Sequence, residues 1–103
     1  MAIIEVTKSN FEAEVLNSNV PVLVDFNAGW CGPCRMLKPM LAELADSNPG
    51  YKIASVDIDD QDELAEDYGV TSIPCLVVFK GGEEVNRSVG LISKAAISAL
   101  MEG

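Results

Sequence analysis

The sequence predicts an α/β fold built on a mixed central sheet with helices on both faces. Three observations point there. Strand-like and helix-like segments alternate from the start of the chain. A central segment, "PVLVDFNA", is nearly all apolar and rich in β-branched residues, as in a strand covered on both sides. Near the C-terminus, two strand-like runs are joined through "GG", a hairpin signal, with no helix between them.

Taken in order, "IIEV" reads as a short first strand. Ser9 followed by Glu12 has the spacing of a capping box, which predicts a helix over Asn10 to Asn17. The central strand runs from Pro21 to Ala28. After "GWCGPC", the residues Met36, Leu37, Met40, Leu41, Leu44 and Ala45 fall on one stripe of a long helix. Pro39 lies inside that helix and lacks the N–H that would bond one turn back, so a kink is expected there. "NPG" (Asn48 to Gly50) ends it. "YKIASVDID" reads as a strand, and "DQDELAEDYG" as a short acidic helix stopping at Gly69. "CLVVFK" and "EEVNRSVG" form the hairpin, and Ser93 caps a final helix running to Met101. The order is βαβαβαββα: a parallel βαβ half, then an antiparallel hairpin half. No repeat, low-complexity tract or linker interrupts it, so residues 1–103 read as one domain.

With 49% hydrophobic residues, a chain of 103 residues can bury a core without staples. "MAIIEV" lacks a basic n-region and a sustained apolar run, and no apolar stretch is long enough to span a bilayer. The expectation is a soluble, cytoplasmic protein. Sixteen acidic residues against seven basic ones give a net charge of −9, which repels nucleic acid and anionic membranes alike. There is no histidine, which removes Cys–His and Ser–His catalysis and zinc sites that need imidazole.

The chemistry therefore centres on Cys31 and Cys34. A zinc site would have to recruit Cys75 and a carboxylate. A structural disulfide across so short a loop removes little chain entropy. The context suits a redox pair better, because the motif follows a buried strand and opens a helix. Unpaired N–H groups and the dipole at a helix start stabilise a thiolate there. Cys31 is expected to meet solvent first and to attack a substrate disulfide. Cys34, one turn in and more buried, then resolves the mixed disulfide. Gly32 allows close backbone approach, and Pro33 withholds one donor from the thiolate, which favours a reducing pair.

"VDFNAGWCGPCRMLKP", "SIP" before a strand and "VG" before the last helix resemble the thioredoxin family over essentially the whole chain. The resemblance implies the thioredoxin fold and a protein disulfide reductase that acts on disulfide-containing client proteins. It also implies a thioredoxin reductase as electron donor and a monomer that needs neither metal nor cofactor. It assigns Asp25 to proton transfer at Cys34; burial would raise its pKa toward a useful range. The residues agree, since an Asp inside "VLVDF" is hard to explain as core packing; the weaker alternative is an exposed residue at a strand end. Pro74 is implied to be cis and to face the CxxC, with the Ile73 backbone offered to an extended client segment; from sequence alone it could be only a strand-start proline. Trp30, Gly32, Pro33, Ile73, Gly90 and Leu91 would form an apolar docking surface.

Three positions depart from the family. Asn27 stands where a tryptophan is usual, so one aromatic support is missing. Ser55 stands where many members carry a lysine that approaches the buried Asp; without it, Asp25 should feel burial more and charge pairing less. Cys75 follows Pro74 where a hydroxyl residue is common, and is either a small core hydrophobe or a third reactive thiol near the pair. Competing functions are a disulfide oxidant or isomerase, a glutaredoxin-like role and a non-catalytic scaffold. The Gly-Pro dipeptide argues against the first.

Overall fold

A computed structural model describes residues 3–47 and 49–103. Five strands form one sheet in the order β1-β3-β2-β4-β5: β1 (Ile4–Glu5), β2 (Val22–Asn27), β3 (Lys52–Asp57), β4 (Cys75–Lys80) and β5 (Glu83–Val89). β1 and β2 pair parallel with β3, whereas β4 pairs antiparallel with β2 and β5. This is the mixed sheet expected from the sequence. The helices are α1 (Gly32–Asp46), α2 (Asp62–Asp67) and α3 (Lys94–Glu102).

The side-chain period of two divides the core into two layers. Val22, Val24 and Phe26 of β2 pack with Cys75, Val77 and Phe79 of β4 against α2 and the first helical turn. Leu23 of β2, Ile53 of β3, and Leu76 and Val78 of β4 face the other way, onto Leu37 and Leu41 of α1 and Ile97 and Met101 of α3. β2 is buried on both faces from Val22 to Phe26, which explains its continuous apolar run. The β4–β5 turn has Gly81 and Gly82 at φ +60° and +83°, a conformation that L side chains rarely adopt and that matches the strands' twist. Ser93 accepts the Ala96 N–H and caps α3.

Local expectations fail at two places. Ser9 caps nothing: its hydroxyl bonds that of Thr7, and Asn10 Oδ1 accepts the Thr7 N–H. The chain closes this turn first, so the helical segment starts later, as a π-type turn over Glu12–Leu16 in which the Asn17 N–H reaches back to the Glu12 carbonyl. Met36 leaves the apolar stripe and is 63% exposed, whereas Leu37, Leu41 and Ala45 are buried against the sheet and Met40 and Leu44 pack at the edge of that core. As expected, α1 stops ahead of "NPG": it ends at Asp46 with Ser47 as its cap, and Asn48 lies outside the described residues.

Candidate active site

Cys31 sits at the junction between β2 and α1. The strand is fixed by its neighbours on both sides, and the loop after it is short and well tied. The Cys31 N–H bonds the Ala28 carbonyl at 3.2 Å, and the Arg35 guanidinium donates to the Gly29 carbonyl at 3.0 Å. Cys31 is the N-cap of α1, and its sulfur accepts the Cys34 N–H at 3.3 Å. A helix start normally presents N–H groups without intrahelical partners, and here one of them is aimed at sulfur, as a thiolate requires. Cys31 and Cys34 are joined as a disulfide, with Cα atoms 5.2 Å apart.

The expected difference in exposure between them does not appear. Both are 5% exposed and pack with Ala28, Ile58 and Ile73.

On the solvent side, Trp30, Cys31, Gly32, Pro33 and Ile73 line an open groove floored by Ile58 and Val70. Trp30 is 67% exposed, and its indole N–H is anchored by Asp59 at 3.0 Å. This combination of a large apolar face and one fixed polar end suits an interaction surface. The Ile73–Pro74 peptide is cis. Gly90 lies beside it, donating to the Pro74 carbonyl at 2.8 Å with φ +101°. Leu91 is exposed next to Gly90, but neither lines the groove, so the structure brings together four of the six expected docking residues.

Asp25 lies on the α1 side of β2, in phase with Leu23, and is 4% exposed. It lines a partly open pocket together with Cys34. Burial pushes its carboxyl up to about 7, against the smaller opposing effects of a hydrogen bond from Asn27 and the charge of Lys38; Glu5 adds a small upward push. Asn27 and Ser55, two departures from the family pattern, are joined in the structure. The Asn27 amide donates to Ser55 Oγ at 2.8 Å, to the Asp25 carbonyl at 2.9 Å and to Asp25 Oδ2 at 3.4 Å. Asp25 and Ser55 are direct partners across the β2–β3 pairing, which is why the two substitutions meet.

Cys75 is buried in the opposite layer, with Val77 and Phe79. It is out of phase with Leu76, the cross-strand partner of Asp25, and burial pushes its thiol up. This placement fits the small core hydrophobe of the two readings.

Sequence reasoning missed Lys38, Asp59, Ile58 and Val70. Lys38 had a signal, since it lies four residues after Cys34 and so on the same helix face. Nothing distinguishes Asp59 from the other acids in "DIDDQDELAED".

Among the described residues, no helix is long and apolar enough to cross a membrane. The thioredoxin family model matches residues 2–103. Thioredoxin 1 of Nostoc sp. is 48% identical over 99 residues, covering 95% of this chain and 92% of its own. The thioredoxin of Pyropia yezoensis is 41% identical over 102 residues, covering 98% and 95%. A bifunctional thioredoxin reductase/thioredoxin of Mycobacterium leprae is 48% identical over 95 residues, which are 91% of this chain and 21% of that protein. Matches of this extent, with the disulfide at the start of α1, leave one conclusion: the chain belongs to the thioredoxin family and is a thiol–disulfide oxidoreductase of its WCGPC type.

Proposed function

We propose that the protein works in the reducing direction, as a monomeric single-domain protein disulfide reductase of the cytoplasm, a compartment that keeps thiols reduced. The observation that carries this reading is the Cys34 N–H directed at Cys31 Sγ, with the buried Asp25 lining one pocket with Cys34. Cys31, as thiolate, attacks one sulfur of a client disulfide. The client's other sulfur leaves as a thiolate, and a mixed disulfide remains on Cys31. Asp25 takes the proton of Cys34, whose sulfur then attacks Cys31 Sγ. The second client sulfur is released, and the Cys31–Cys34 bond forms. Two electrons have passed to the client. Gly32 and Pro33 shape the approach to Cys31, and Pro33 adds no N–H donor to stabilise its thiolate.

Clients lay an extended segment in the groove, against Trp30 and the backbone at Ile73 beside the cis Pro74, with Gly90 and Leu91 at the far edge. A thioredoxin reductase returns the electrons. The Mycobacterium leprae relative, named for both activities in one chain, supports that partnership.

Insulin reduction driven by NADPH and thioredoxin reductase tests the whole cycle. Cys31→Ser should abolish turnover, by a factor on the order of 10³ or more. Cys34→Ser should stop at one equivalent of trapped mixed disulfide. Full turnover by both variants would overturn the reading. So would a reduction potential as oxidising as that of a dedicated disulfide donor, about −120 mV.

A further inference from the structure

On the side of the disulfide away from the groove, a pocket of about 120 Å³ is lined by Asp25, Asn27, Cys34, Lys38, Ser55 and Glu5. The two oxygens of Asp25 differ in it. Oδ2 takes a longer, shared contact of 3.4 Å from the Asn27 amide, whose two shorter bonds to the Asp25 carbonyl and Ser55 Oγ fix it in place. Oδ1 is buried and has no hydrogen-bond partner among the described residues. A buried oxygen left so costs about 1–3 kcal/mol, and water is the partner that fits. A buried water needs roughly 10–15 Å³ of free volume and two to four polar neighbours, and the pocket offers both.

We propose that this pocket is the proton port of Asp25: Asn27 is the positioning residue that holds one carboxyl oxygen, leaving the other to exchange its proton through pocket water past Lys38. The port rests on the reading above, in which Asp25 accepts the Cys34 proton. As Cys34 attacks Cys31, its S–H proton passes to the Asp25 carboxylate, the Cys31–Cys34 bond forms and the client sulfur leaves with its electron pair. Asp25 then gives the proton from Oδ1 to pocket water, and bulk water protonates the client thiolate. No other reactant is needed.

The charges that face Asp25 come from several elements. β1 brings Glu5, and α1 brings Lys38, Arg35 and Cys34; β3 contributes Ser55 to the lining; and the Cys75 thiol of β4 lies within electrostatic reach from the opposite layer. Lys38 favours the carboxylate and Glu5 opposes it. The family's strand cation is thus absent from β3, and its nearest counterpart stands on the helix, exposed at the outer end of the port.

The test is the pH dependence of insulin reduction by the pre-reduced protein, read beside the ¹³C titration of the Asp25 carboxyl. Asn27→Ala removes the amide and should strengthen proton binding about tenfold, moving both midpoints upward by about one pH unit. Lys38→Glu, at an exposed helix position that does not threaten folding, should move both upward by a smaller step, about twofold to fivefold in proton affinity. Neither change should move the rate profile in an Asp25→Asn background. If both variants slow the reaction evenly at all pH values, with unmoved midpoints, while Asp25→Asn still flattens the profile, the port is wrong and the role of Asp25 stands. If Asp25→Asn leaves the profile unchanged, the role of Asp25 falls and the port with it.

Discussion

The two faces of β2 treat an ionisable group in opposite ways. On the face toward α2, Val22, Val24 and Phe26 meet Cys75, Val77 and Phe79, and the layer is apolar throughout, its one thiol included. On the face toward α1, Leu23 is followed by Asp25 and then Asn27, so the apolar layer stops short of the disulfide and a polar pocket begins. The strand is the same and the burial is equally deep. What differs is the company: Asp25 has an amide, a cross-strand hydroxyl partner and a nearby lysine, and the opposite layer offers none of these at its centre. A shift of one residue along β2 therefore decides whether a buried acid is a working group or a fault.

Moving the acid by one position is the most severe way to break this comparison. Val24→Asp would aim a carboxyl into the apolar layer between Val22 and Phe26. We expect a loss on the order of 3–5 kcal/mol, a large part of the stability of a domain this size. Urea unfolding at pH 7 measures it; a loss under 1 kcal/mol would show the two layers to be equally tolerant.

Asp25 itself gives the next effect. Its carboxyl is raised from 3.8 to about 7 by burial, so the folded state favours the neutral form. The sign follows from linkage. The folded protein binds one more proton than the unfolded chain between those two values, so this stabilisation is full below pH 4 and is lost as pH rises through about 7. The slope is about 1.4 kcal/mol per pH unit, which sums to roughly 4 kcal/mol. Asp25→Asn removes this dependence, so the variant should gain stability relative to the parent as pH rises from 4 to 8, while turnover falls by about 10²-fold or more. Parallel stability curves for the two proteins across that range would show that Asp25 is not buried as the structure has it.

The comparison also explains what the sequence disclosed. The period of two in "VLVDFN" and "CLVVFK" already separates Asp25 from Cys75, since Asp25 is in phase with Leu23 and Cys75 is out of phase with Leu76. The order of elements along the chain, the hairpin and the redox pair were legible because each has a short-range signature: alternation, paired glycines, a CxxC at a helix start. The Asn27–Ser55 contact was not, because it joins residues 28 apart through a parallel pairing whose register no local signal fixes. Each residue, seen singly, could be read only as a departure. The failed capping box shows the converse. Ser9 and Glu12 had the right spacing, but a competing turn at Thr7 and Asn10 used the local hydrogen bonds first.

A cation placed opposite Asp25 would sharpen the difference between the faces. Ser55→Lys puts an ammonium at the position paired with Asp25, at a half-buried site. An opposite charge that close should lower the carboxyl's midpoint by about 1–3 pH units, and the pH midpoint of reduction should follow it down. A midpoint that stays near its parent value would mean that the new side chain turns away to solvent and that Lys38 remains the cation that Asp25 feels.

The smallest effect is expected on the other face. Cys75 is buried with Val77 and Phe79, and burial holds its thiol above the usual range, so little thiolate forms at neutral pH. The thiolate is the species that reacts with peroxide and alkylating agents, so burial and protonation protect the group together. Mild peroxide followed by mass spectrometry should leave Cys75 unmodified in the folded protein and label it only after unfolding. Cys75→Val keeps the apolar character and adds one methyl group, and should change stability by about 1–3 kcal/mol at most. It should leave turnover and the redox potential of the Cys31–Cys34 pair where they were. Oxidation of Cys75 in the native protein, or a shifted potential in the valine variant, would mean that the third thiol communicates with the pair through β4. The separation of the sheet into a working face and a packing face would then not hold.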